Sequence, residues 1–144
     1  MFAVDTNVLV YAHFDRYPQH AKARRFCADR LLSGDEWCMG WQVVYEYLRI
    51  TTHPRVHETP LSLSTALDDL RPYLEADNCH ILDHTPLHYR VLLDIAGDAP
   101  AIAGNLIHDA HYAALLREHG VHTLYTADRD FARFGFLKVI DPTA

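Results

Sequence analysis

Short apolar runs recur along this chain, each followed by a longer stretch with helical spacing. Strands are predicted at residues 2–5, Trp37–Met39, Cys79–Leu82, Val121–Tyr125 and Phe136–Ile140. Between them, the period of the apolar residues predicts helices near 18–33, 42–52, 61–74, 87–95 and 105–118. Gly34 and Gly120 stand just past two of these helices, where a chain leaving a helix favours glycine. Gly97-Asp98-Ala99-Pro100 marks a turn, and residues 54–60 form a loop between prolines. Two parallel neighbouring strands need a long crossover connection, and a helix supplies it. The alternation therefore restricts the chain to an α/β domain of three layers, with a short central parallel sheet flanked by helices. Such sheets place their ligands at the carboxyl ends of the strands.

At 144 residues, 49% of them apolar, the chain reads as one domain, residues 1–144, with a core of its own. No apolar run reaches the ~20 residues of a membrane helix, and no basic-then-apolar secretory pattern opens the chain. A cytoplasmic location is the expectation. Cys27, Cys38 and Cys79 are odd in number and far apart, which suits reduced thiols better than a disulfide framework or a zinc site. The histidines are scattered. A formal net charge of −6 argues against a surface that grips nucleic acid all over. It leaves room for an RNA enzyme whose acids hold metal, and it suits a basic protein partner. Basic residues gather locally at Lys22, Arg24, Arg25 and Arg30, and again at Arg129 and Arg133.

Four acids stand where a soluble domain would ordinarily avoid them. Asp5 ends the first strand, and Asp128 follows the strand at 121–125. Glu46 falls among Val43, Tyr47 and Ile50 by i, i+3, i+4, i+7 spacing; Asp109 lies three residues after Leu106 on the side marked by Ala110 and Ala113. Both helix acids are thus expected to face inward. Any one acid is explained by an ordinary role, such as a helix cap for Asp5 or an ion pair between Glu46 and Arg49. Four at once are not. Clustered carboxylates repel and raise one another's pKa, and one or two Mg2+ or Mn2+ ions would remove that penalty through oxygen ligation. Water bound to such an ion becomes acidic enough to attack phosphorus. Asn7 and Thr126 flank the acids: Asn7 to orient Asp5 or hold a metal-bound water, Thr126 to bond a carboxylate or a phosphate oxygen. Asp130 is either a further metal ligand or a turn cap paired with Arg129 or Arg133.

Four segments resemble the motifs of a known family. Val4-Asp5-Thr6-Asn7-Val8-Leu9-Val10-Tyr11-Ala12 is similar to the opening motif of PIN-domain ribonucleases, especially VapC-type toxins of bacterial toxin–antitoxin pairs. Gln42-Val43-Val44-Tyr45-Glu46-Tyr47-Leu48 resembles the helix bearing the second acid. Ile107-His108-Asp109-Ala110-His111-Tyr112-Ala113-Ala114 resembles the third motif, and Tyr125-Thr126-Ala127-Asp128-Arg129-Asp130-Phe131 the fourth. The order and spacing hold from residue 2 to about residue 140. The resemblance implies a PIN-like fold and a Mg2+- or Mn2+-dependent endoribonuclease. It implies metal ligation by Asp5, Glu46, Asp109 and Asp128, with Asp130 often in the set. It also implies a homodimer held in check by a VapB-type antitoxin, as a heterotetramer or larger assembly. The stretch between Glu46 and Asp109 is the least family-like and is expected to form a helical arm contacting antitoxin or substrate. Arg129 and Arg133, beside the acids, are the candidates for contact with RNA phosphates.

Three other readings compete. A haloacid-dehalogenase-like phosphatase would need a second Asp two residues after the first, and position 7 is Asn. An HD-type phosphohydrolase is suggested by His108-Asp109 and His111, but those domains are all-helical and the strands argue against it. A non-catalytic PIN-like binding module would be marked by loss of an acid, and all are present.

Overall fold

The computed structural model describes all 144 residues. Five strands form one sheet: β1 (Phe2–Val4), β2 (Trp37–Gly40), β3 (Cys79–Leu82), β4 (Thr123–Tyr125) and β5 (Lys138–Ile140). All four pairings are parallel, in the order β3-β2-β1-β4-β5. The helices are α1 (Thr6–His13), α2 (His20–Phe26), α3 (Trp41–Thr52), α4 (Leu63–Leu74), α5 (His88–Asp98) and α6 (Leu106–Glu118). Helices α2 and α3 each pack on α1, α4 packs on α3, and α5 packs on α6. With this strand order, the right-handed sense that parallel crossovers follow assigns the two groups to opposite faces of the sheet. The three-layer expectation is met, and an all-helical fold is excluded.

Strand order creates the crevice. From β1 the chain moves outward to β2 and β3, then returns to the other side of β1 for β4 and β5. The crossovers diverge between β1 and β4, and the ends of those two strands open a gap there. The core that supports it is built from both layers: Val4, Val8, Leu9, Trp37, Met39 and Tyr47 are fully buried beside Ala113, Leu115, Leu116 and Leu124.

Several boundaries depart from the sequence reading for local reasons. The helix expected over 18–33 starts at His20, and its last turn, Cys27–Leu31, widens to a π-helical turn before Gly34 leaves it at φ +108°. Helix α5 runs through the expected Gly97-Asp98 turn to Asp98, and its chain ends only at Ala99. A short 3-10 turn, Arg129–Arg133, follows Asp128. The expected helical arm is part of the body of the fold: α4 packs on α3, and β3 is the sheet's edge strand beside β2. Gly40 joins β2 to α3 at a point of close approach, where a β-carbon would sit 2.6 Å from Leu115 Cδ2. No helix is long and apolar enough to cross a membrane.

Candidate active site

Asp5 is the anchor of the crevice. Its own N–H donates to Tyr125 O at 3.0 Å, so the residue after β1 is tied to the last residue of β4. Its carboxylate caps α1 by accepting from Thr6 N–H (2.8 Å, Oδ1), as the cap reading required. Oδ2 accepts from Asn7 Nδ2 (2.8 Å) and from Thr126 Oγ1 (2.7 Å). A carboxylate has about four acceptor positions, so three donors leave about one, on Oδ1, for a cation. Capping α1 therefore does not use up the carboxylate's acceptor positions.

Thr126 ties the two strand ends together. Its hydroxyl donates to Asp5 and accepts from Asn7 Nδ2 at 2.9 Å and from Asp128 N–H at 2.9 Å. Asn7 Oδ1 in turn accepts from Ala127 N–H at 3.1 Å. Both residues thus orient the acids, and Asn7 donates to Asp5 where a phosphatase acid/base would have to stand.

The two helix acids reach the crevice from its walls rather than from the core. Helix α3 buries Val43, Val44, Tyr47 and Thr51, which turns Glu46 outward, exposed, with Oε2 accepting from Thr6 Oγ1 at 3.1 Å. Asp109 is half-buried beside buried Ala110 on α6. The expectation that both face inward is corrected: the apolar face of each helix lies one position further round, and the acid borders it. The alternative Glu46–Arg49 ion pair is not formed: Glu46 accepts from Thr6, and Arg49 lines the cleft.

Asp5, Glu46 and Asp109 border two adjoining hollows. The larger, about 570 Å3, is completed by Tyr45, Arg49, Asn105, His108 and His111. The smaller, about 330 Å3, adds Asn7, Tyr11, Tyr17 and Asp128. Phe131 and the three acids stand between the two. Thr6, Arg49, Tyr45 and Asn105 carry no mark in the sequence except adjacency to an acid or a shared helix face.

The electrostatics show a site with excess negative charge. Burial pushes the Asp5 carboxyl up to about 7, with Glu46 and Asp128 adding to the rise against the bonds from Thr126 and Thr6. Burial, then Asp128, Asp130 and Glu46, lift Asp109 to about 6. All the donors are hard carboxylate oxygens, which fit Mg2+ or Mn2+, ions that keep several waters as ligands. The carboxylates are spread around the cleft; only the ring nitrogens of His84, His88 and His111 converge within 4.8 Å of one another.

The remaining candidates lie at the margin. Asp130 is exposed; the turn is capped by Asp128, whose Oδ1 accepts from Asp130 N–H at 2.8 Å, while Asp130 Oδ1 accepts from Arg133 at 3.4 Å, so of the turn-and-pair role only the pairing is Asp130's. Arg133 lines a separate hollow with Arg117, Phe134 and Phe136, and Arg129 is exposed outside both hollows. In the first basic cluster, Arg25 pairs with Asp29 and Arg30 with Asp35.

Comparison with known proteins agrees with this architecture. The PIN domain profile matches residues 2–137. The ribonuclease VapC48 of Mycobacterium tuberculosis is 32% identical over 96% of this chain and 94% of its own. The ribonuclease VapC25 of the same organism is 35% identical, with 99% of each chain covered. Among solved structures, Mycobacterium tuberculosis VapC20, a sarcin–ricin loop cleaving toxin, superposes with a TM-score of 0.69 at 18% identity, covering 98% of this chain and all of that one. VapBC2 of Rickettsia felis, solved bound to a DNA fragment from its promoter, gives 0.66 at 17% identity over 96% of each chain. With the profile spanning nearly the whole length and end-to-end relatives identical at about a third of positions, the chain belongs to the PIN-domain family, among its VapC-type members.

Proposed function

We propose that the protein is a divalent-metal-dependent endoribonuclease, a single catalytic domain and the toxin of a VapBC-like pair. The observation that carries this reading is the fixed carboxylate of Asp5, at the divergence of β1 and β4, facing Glu46, Asp109 and Asp128 across a cleft open to a polymer. Asp5, Glu46, Asp109 and Asp128 would hold Mg2+ or Mn2+, one ion or two, with Asp130 at the edge of the set. Bound there, the ion would supply charge neutralisation for the phosphate and a water of lowered pKa.

The chain's own residues do the positioning. Thr6 N–H, Asn7 and Thr126 hold Asp5 in one orientation, so no reorganisation is needed as charge develops. Asp128 is held to the same frame through its N–H. Arg49 offers a guanidinium to a phosphate beside the acids, and exposed Tyr45 offers a ring for base stacking. The hollows on either side of the acids give the chain a path before and after the scissile bond. Arg129 and Arg133 would serve only the outer part of that path.

Relatives supply the biological setting: ribonucleases by name, and toxins solved with antitoxins on DNA. By that likeness the substrate is RNA, the regulator is a VapB-like protein, and the active assembly is a homodimer in the cytoplasm. The test is cleavage of a structured RNA pool by purified protein with Mg2+ or Mn2+. Cleavage should stop with EDTA and fall at least about 100-fold in Asp5→Asn. Undiminished cleavage by Asp5→Asn would overturn the assignment.

A further inference from the structure

Beside the acidic cleft lies a second constellation of ligands of different chemistry. His84 sits in the loop after β3, His88 is the first residue of α5, and His111 is on α6. Their ring nitrogens all lie within 4.8 Å of one another, and His84 Nε2 and His111 Nε2 stand at hydrogen-bond distance, 2.8 Å, with the tautomers deciding which one donates. The rings of His84 and His88 are centred 4.2 Å apart. Three imidazoles facing one point gain little from each other as neutral groups, because only a tautomeric proton links them.

The support behind them is what distinguishes the group from a chance surface cluster. His88 Nδ1 donates to Glu118 Oε2 at 2.8 Å, and the Glu118 side chain is completely buried. Glu118 Oε1 accepts from Thr85 N–H at 3.0 Å, in the loop that carries His84. A buried carboxylate that engages one imidazole nitrogen fixes the ring and its tautomer, leaving the other nitrogen free to accept a metal. His119 Nε2 donates to Asp83 O at 2.7 Å and pins the same loop from the residue after Glu118.

We propose that His84, His88 and His111 form a second metal site, selective for a borderline transition ion such as Zn2+, with Glu118 as the positioning residue. Three imidazoles with an open fourth position suit Zn2+, whereas Mg2+ and Mn2+ prefer the oxygen ligands of the neighbouring cleft. The site joins the β3–α5 loop to α6, two residues from Asp109, and so braces one wall of the cleft. It is independent of the nuclease reading and survives its failure.

The probe is Zn2+ alone, titrated calorimetrically into the full chain in a large excess of Mg2+. One Zn2+ should bind per chain, and binding should persist in the Asp5→Asn, Asp128→Asn double variant. It should weaken at least about 100-fold in His84→Ala, and about 10-fold or more in Glu118→Gln. His84 is exposed in a loop, so its truncation leaves the core untouched. As a second measurement, Zn2+ at about 100 times its Kd should raise the wild-type Tm by roughly 5–10 °C and leave His84→Ala unmoved. Wild-type affinity in His84→Ala, loss of binding in the acid double variant, or absence of stoichiometric binding would each overturn the site.

Discussion

Thr126 shows how much one hydroxyl can organise. It stands 121 positions from Asp5, yet it donates to that carboxylate and accepts from Asn7 and from Asp128 N–H. Thr126→Val keeps the shape and removes all three bonds. Cleavage should fall about 10–100-fold, in the range for a lost orienting partner, while Thr126→Ser retains most of the rate. A Val variant as fast as wild type would mean that the orientation of Asp5 is not limiting. At this scale the sequence located the acids and the two supporting residues. It misjudged direction for Glu46 and Asp109, because a helical repeat leaves the edges of its apolar face uncertain by one position; Arg133, placed beside the acids by adjacency along the chain, lines a separate hollow.

The connection between β2 and α3 sets the position of Glu46, and Gly40 makes that connection possible. A β-carbon there would meet the fully buried Leu115 of α6 and the side chain of Gln42. Gly40→Ala should therefore cost about 1–3 kcal/mol, by the usual scale for overpacking a filled core. Urea unfolding should show a lower midpoint with an unchanged slope. A midpoint within error of wild type would mean that α6 yields without cost. Element existence was largely readable: every strand and five of the helices lie where short apolar runs and helical spacing put them. The π-helical turn at Cys27–Leu31 and the extension of α5 to Asp98 were not, since both depend on packing rather than on a local residue signal.

Across the whole molecule, the acidic cleft is a store of unfavourable charge. Folding raises Asp5 from 3.8 to about 7 and Asp109 from 3.8 to about 6. Below the unfolded pKa both states are protonated and no penalty exists; as pH rises from the unfolded to the folded pKa, the unfolded state ionises while the buried group holds its proton, so the native state loses stability, and the loss is complete above the folded pKa. Histidines 13, 57 and 111, whose pKa values burial lowers, act in the opposite sense, gaining stability as pH rises toward neutral. A difference measurement separates the two. In metal-free protein, the Tm of Asp5→Asn minus that of wild type should widen by several degrees from about pH 5 to about pH 8, and Mg2+ should narrow it again. A gap that stays constant with pH would show that Asp5 carries no such strain.

By itself the sequence determined the α/β architecture, the helix-and-strand order and the four acids, because periodicity and strand-end position are local properties of the chain. The tertiary structure alone decided which distant groups meet. Asn7 reaches Thr126 across 119 positions, and His84 meets His111 across 27. The histidines looked scattered because their convergence depends on α5 folding back against α6. The acids looked buried because their helices are amphipathic, whereas the path of the chain between β1 and β4 placed them at the wall of an open cleft. Spacing along a chain fixes which face a residue occupies only to within one position; crossover direction and packing fix what that face confronts.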